Sequence, residues 1–171
     1  MKRILPLFLA LALTLTACGG KGEKTATKTP DELKTAYTQA INGARDEEMN
    51  QVFPVKTDAA EMDEFEVEMV FGMLGFAPED AQAYGVSLSL MNVSAYAIAA
   101  VMPAEGKEDA VREGLEGYIE TQKQSFTNYL QDQFDIAANA KLEKLADGTL
   151  LLVMCENQDT VFNSIKTALE Q

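Results

Sequence analysis

The chain has 171 residues, with 27 acidic against 14 basic side chains, a formal net charge of −13 and no histidine. A polypeptide this acidic is repelled by nucleic-acid phosphates and by an anionic membrane surface, which excludes nucleic acid as a natural partner. The missing histidine removes the commonest general base, the Ser-His and Cys-His nucleophile pairs and most zinc and haem ligand sets, leaving an enzyme only carboxylate or lysine chemistry.

Lys2 and Arg3 precede an apolar stretch, Ile4 to Thr16, broken by Pro6 and two threonines. It is too short for a permanent span, which needs about 20 apolar residues, and reads as a signal peptide covering residues 1–17. Leu15-Thr16-Ala17-Cys18 resembles the bacterial lipobox. That resemblance implies cleavage between Ala17 and Cys18, a diacylglycerol on the Cys18 sulfur and acylation of the new amino group. One acyl chain binds a membrane marginally, whereas two anchor it. The alternative is an ordinary secretory leader with Cys18 near the cut by chance. The expected location is the outer face of the cell membrane, lipid-anchored, or the outer membrane in a Gram-negative cell. Cys155 is then left without a bridging partner and reads as a small buried hydrophobe.

Residues 18–29 form the expected tether: Gly19 to Thr29 is rich in Gly, Lys and Thr and lacks large apolar residues. Eleven such residues reach roughly 18 Å as a flexible coil. Residues 30–171 are expected to form a single domain, of a size that suits one core. Loss of Lys2 and Arg3 with the leader makes the mature chain two charges more acidic still.

Thr29-Pro30 predicts a capped helix start with Asp31 and Glu32 at its positive end. Leu33, Ala36, Tyr37, Ala40 and Ile41 recur at helical spacing up to Asn42-Gly43. Residues 44–57 lack periodicity and contain Pro54, predicting a connection with one short strand around Val52 to Val55. From Asp58 to Leu74 a helix is expected, with Met62, Phe65, Met69 and Met73 on one face and Glu61, Asp63, Glu64, Glu66 and Glu68 around the rest. A calcium loop needs acids at alternating positions around a glycine, and this run has neither. Copper(I) on Met69 and Met73 is chemically conceivable, but methionines among Phe and Val more simply pack a core. No metal or cofactor is therefore expected, and the acids of 58–68 read as a solvated helix face or as part of a short segment that orders weakly.

From Val86 the period changes to two: Val86, Leu88 and Leu90 alternate with Ser87, Ser89 and Met91, as in a strand with one buried face. Asn92-Val93-Ser94 predicts a tight turn, and Tyr96 to Met102 an antiparallel second strand whose alanines leave room for close packing. A long helix is expected from Lys107 to Gln133, with Val111, Leu115, Tyr118, Ile119, Phe126, Tyr129 and Leu130 as its apolar stripe. Gly114 and Gly117 suggest close approach to the alanine-rich strand. Gln122, Gln124, Gln131 and Gln133 suit either sugar or peptide contacts or, more simply, an uncharged wet face. Asp147-Gly148 predicts a hairpin turn between Lys141–Leu145 and Thr149–Glu156. Leu150 to Cys155 is apolar on both faces, as a central strand is. Asn157 or Asp159 caps a last helix, with Val161, Phe162, Ile165, Ala168 and Leu169 inward.

The expected fold is α+β in two layers: a mainly antiparallel four-stranded sheet covered by the long central helix and the C-terminal helix, with further helices at the N-terminus. The run Val86 to Ser94, the following strand, the helix ending Tyr129-Leu-Gln-Asp-Gln133, and Asp147-Gly148 before Leu150 to Cys155 resemble domain-of-unknown-function family 4358. These are small lipoproteins, mostly of low-GC Gram-positive bacteria. The resemblance covers about residues 60–170 and the lipobox. It implies the outer membrane face and the α+β fold, and it supplies no activity or catalytic residue. Two functional classes remain. One is a non-enzymatic module that binds a surface protein, peptide or glycan. The other is a small-ligand binder or carboxylate-dependent enzyme, for which Glu143 and Glu156 are the candidates.

Overall fold

The computed structural model describes residues 28–171; the leader, Ala17, Cys18 and most of the tether lie outside them. Helix α1 (Pro30–Gly43) starts as expected. The Thr29 hydroxyl accepts the Glu32 backbone N–H, while the Glu32 carboxylate accepts the Thr29 N–H at 2.7 Å, so two otherwise free donors are satisfied reciprocally. Leu33, Tyr37, Ala40 and Ile41 are its buried face.

Two expectations fail over the next thirty residues, for the same reason. Residues 47–52 are helical (α2, Glu47–Val52), not a strand, because the Asp46 carboxylate caps the Met49 N–H and two glutamates follow at the positive helix end. Strand character is confined to Lys56, which exchanges backbone hydrogen bonds of 2.8 and 2.9 Å with Val86. Likewise 58–74 is not one helix. Asp58 caps a 3-10 turn (Ala59–Glu61) and Asp63 starts α3 (Glu64–Leu74) afresh. The core side of α3 is Val70, Phe71 and Leu74, while Phe65 is 69% exposed.

Strand β1 (Ala81–Leu88) and strand β2 (Ala97–Pro103) form a hairpin. Helix α4 (Glu108–Phe126), helix α5 (Gln131–Ala138), strand β3 (Lys141–Lys144), strand β4 (Leu150–Met154) and helix α6 (Gln158–Leu169) follow. The sheet order is β1-β2-β4-β3 with every neighbouring pair antiparallel; Val86 lies opposite Ala99, and Ala99 opposite Leu152. The α+β class and the four-stranded antiparallel sheet are those read from the sequence.

The layering is different. Val86, Ala97, Ala99, Leu150 and Leu152 pack against α3, α4 and α5, while Ile98, Ala100, Leu151 and Val153 pack against α1 and α6. The long helix and the C-terminal helix thus cover opposite faces, and the sheet is the middle of three layers. Strands buried on both faces require this. Even the serines of the alternating run, Ser87 and Ser89, are 1% and 3% exposed.

The expected long helix is two. Asn128 adopts a left-handed conformation with φ 64° and ends α4, a conformation asparagine tolerates better than most residues. Gly114 does permit a close approach, but to the backbone of Gly75 at the end of α3 and not to the sheet: a Cβ there would lie 2.5 Å from the Gly75 carbonyl oxygen. Nothing lies within 4 Å of the corresponding point on Gly117.

The sheet has two ends of different character. At one, the β3–β4 turn places Gly148 at φ 98°, and Asp147 accepts the Thr149 N–H. Here the Tyr37 hydroxyl reaches Thr149 Oγ1 at 2.8 Å, so α1 and with it the chain from Thr29 begins at this turn end. At the other, open end lie the β1–β2 loop (residues 89–96), the start of α6, and Arg45 just past the end of α1.

Candidate functional site

The open end is organised around Arg45. Its Nε donates to Asn50 Oδ1 at 2.6 Å; Nη1 donates to Ser87 Oγ at 2.7 Å and to the Tyr96 hydroxyl; Nη2 donates to Asn42 Oδ1 at 3.2 Å and to the Phe53 carbonyl at 2.7 Å. A guanidinium has five N–H bonds, and all five are used. Every acceptor is neutral. The cluster ties the end of α1, α2, β1 and the end of the β1–β2 loop together, and beside it the Phe53 and Tyr96 rings stack on each other with centroids 4.2 Å apart and 17° between planes. Burial raises the pKa of the Tyr96 phenol, with Arg45 opposing, so the hydroxyl stays protonated.

The β1–β2 loop is longer than the tight turn expected. Ser89 N–H donates to the Tyr96 carbonyl, closing an eight-residue loop whose tip exposes Leu90, Met91 and Val93. Its return limb is held by α5: Gln133 Oε1 accepts the Ala95 N–H at 2.9 Å. Of the four glutamines considered as contacts, Gln133 is the one that reaches this end.

Between loop, α2, α5 and α6 lies a half-open cavity of about 570 Å³. Met49, Phe53, Ile98, Ile136 and Val161 give it an apolar interior, and Asp46, Glu156, Asn157 and Thr160 stand at its margin. Two adjoining depressions continue from it around Cys155–Thr160. Concave, mostly apolar surfaces with a few polar groups at the rim are where small molecules and peptide side chains bind.

Cys155 forms part of the cavity wall and is 6% exposed. Burial pushes its thiol up to about 11, with Arg45 opposing and Glu156 reinforcing. A thiol protonated at neutral pH is a poor nucleophile, which fits the small buried hydrophobe expected.

Glu143 and Glu156 are not brought together. Glu143 faces Leu151 across the β3–β4 ladder and pairs with Lys166 at 2.9 Å, while Glu156 lies beyond the far end of β4. The three strand steps from Leu151 to Met154, where β4 ends, already span roughly 10 Å at the usual rise, too far for a carboxylate dyad. Three of the acids of 58–68 have structural tasks: Asp58 and Asp63 are caps, Asp58 also pairs with Lys34 at 3.0 Å, and Glu66 pairs with Lys56 at 3.1 Å, while Glu61, Glu64 and Glu68 are exposed. Met73 packs against the α4-side core. Among the described residues no group of three or more His, Cys, Asp or Glu is arranged to hold a metal, and no helix is long and apolar enough to cross a membrane. Ala17 and Cys18 lie outside the described residues.

Fold and site define a three-layer α+β domain with a cavity at one end of its sheet. The family model described as a domain of unknown function, DUF4358, matches residues 55–155, and the chain belongs to that family. The match spans α3, the whole sheet, α4 and α5, and leaves out α1, α2, Arg45 and α6. Neither the curated proteins nor the solved structures compared include a match.

Proposed function

We propose that the protein is a lipid-anchored, non-enzymatic binding module at the outer face of the cell membrane, and that the open-end cavity is its binding site. The observation that carries this is the cavity's position. The chain enters α1 at the turn end, so a tether running from an acylated Cys18 joins the domain at the end of the sheet opposite the cavity. A flexible tether with a reach of roughly 18 Å lets the domain turn, and its attachment at the turn end leaves the cavity on the end farther from the anchor. The reading of an enzyme built on carboxylates is weaker, since its two candidates stand apart and one is engaged in an ion pair.

Intact-mass analysis of protein extracted from membranes is expected to give a chain beginning at Cys18 with a thioether-linked diacylglycerol. A Cys18→Ser variant should be shed into the medium or kept as an uncleaved precursor. A different first residue, or an unmodified sulfur, overturns the anchor. For the cavity, hydrogen exchange of the full chain with a cell-surface extract should protect residues 45–53, 94–98 and 155–161. Protection confined to other segments overturns the site.

A further inference from the structure

The distribution of charge in the cavity selects the kind of ligand. Arg45 puts a positive charge at its inner end, and its five N–H bonds are already engaged by neutral oxygens, so it has no donor free for a ligand carboxylate or phosphate. At the mouth the sign reverses. Asp46 and Glu156 are both exposed, and Asp135 stands in the adjoining depression. None of the three forms an ion pair among the described residues. Asp159, in the first turn of α6, is already matched by Lys141 at 2.7 Å. A cation inside the cavity is repelled by Arg45, whereas one at the mouth meets carboxylates that have no cationic partner: Asp46 caps the Met49 N–H and Asp135 accepts from Gln131, both neutral donors. The interior between is apolar, and the loop that supplies Ala95 and Tyr96 to it extends outward as Leu90, Met91 and Val93, which are 41%, 64% and 50% exposed. That tip widens the apolar surface beyond what a small molecule would cover.

We infer that the cavity receives an apolar side chain of a basic peptide segment, with the segment's lysines or arginines lying over the acidic mouth and its flanking apolar residues on the loop tip. This rests on the reading of the cavity as a binding site and adds the class of ligand. Charge also acts at a distance: in a protein of net charge −13, a basic peptide is drawn in and an acidic one repelled, increasingly so at low salt.

The test uses the whole chain carrying Cys18→Ser, labelled with ¹⁵N, and three hexapeptide amides: Lys-Leu-Lys-Phe-Lys-Leu and its counterparts with glutamate or serine for lysine. The lysine peptide should shift the amide resonances of Ala95, Tyr96, Glu156 and Thr160, leaving Gly148 at the turn end unmoved. It should bind at least tenfold more tightly than the serine peptide, with the glutamate peptide weaker still. Thr160→Trp, an exposed position at the margin, should abolish the shifts without altering the fold. Glu156→Gln should weaken binding about threefold, the size of one exposed ion pair. Serine or glutamate peptides binding at the cavity as well as the lysine peptide would overturn the charge argument and leave the cavity standing as a site. If none of the three shifts the cavity resonances, the peptide ligand is overturned, while protection by the surface extract reports separately on the site.

Discussion

The two ends of the sheet bury polar groups in opposite ways. At the turn end one neutral pair, Tyr37 and Thr149, closes on itself at 2.8 Å, and Gly148 and Asp147 finish the hairpin. At the open end a charged guanidinium is spread over five neutral acceptors drawn from four segments, and beside it a cavity of about 570 Å³ remains. A closed polar pair stabilises locally and leaves nothing for a ligand. A polar cluster that braces several segments can hold open the space between them. The first is a device for stability and the second for a site, and each can be disturbed separately.

The largest effect is expected where two backbones touch near the turn end. Gly114→Ala places a methyl group 2.5 Å from the Gly75 carbonyl oxygen, and neither backbone can yield cheaply. A loss of about 3 kcal/mol is expected, at the upper end for overpacking, read as a lower urea midpoint at unchanged slope. Gly117→Ala, with nothing within 4 Å, should instead raise stability by about 0.5–1 kcal/mol from helix propensity alone.

Arg45 comes next. Arg45→Met keeps much of the side-chain volume and removes all five donors, leaving the buried Ser87 and Tyr96 each with one fewer partner. A loss of about 2 kcal/mol is expected. More telling for the comparison of the two ends, hydrogen exchange should rise in 45–53 and 89–96 and not around Thr149. Arg45→Lys should recover little, since an ammonium cannot reproduce the planar fork.

How much of this was legible beforehand follows from where the signals are local. The capping of α1 by Thr29, the Asp147-Gly148 turn and the doubly apolar Leu150–Cys155 strand are written in adjacent residues, and the α+β class follows from them. That same strand carried the evidence for a third layer, because a strand apolar on both faces needs a cover on each. The serines of β1 concealed it. They look like a solvated face, yet Ser87 is buried through a partner 42 residues away in sequence. The breaks at Asp63 and Asn128 were missed because apolar periodicity runs across them, while a capping aspartate or a left-handed asparagine interrupts the backbone without disturbing that pattern. Arg45 itself gave one signal: a lone arginine just past a helix end, in a segment without periodicity. Its partners are Asn, Ser, Tyr and a carbonyl rather than an acid, so no charge pattern pointed to it.

Two tyrosines sharpen the contrast between closed and unclosed polar groups. Tyr37→Phe removes the hydroxyl from the buried Thr149 and should cost about 1–2 kcal/mol. Tyr118, on the α4 side, is 2% exposed and its hydroxyl has no partner among the described residues. Tyr118→Phe removes an unsatisfied buried group and should leave the urea midpoint unchanged or raise it by up to about 1 kcal/mol. If both substitutions cost the same, the distinction between the two hydroxyls fails.

The smallest expected effect is a slope against pH at the cavity wall. The Cys155 thiol is raised by burial from its ordinary value near 9 to about 11. The folded chain therefore holds this proton where the unfolded chain releases it. Between those two values unfolding sheds a proton, so stability is full below about pH 9 and declines as pH rises toward 11. By pH 9.5 the expected contribution is a loss of about 1 kcal/mol. The tyrosines with raised values, Tyr37, Tyr84, Tyr96 and Tyr118, add their own alkaline losses higher up, so the comparison must be a difference. Urea midpoints of the wild-type chain and Cys155→Ala are measured at pH 7.5 and 9.5, and the variant should lose less over that interval. An equal loss in both chains would place the thiol in contact with solvent, and the wall of the cavity would then be looser than its geometry indicates.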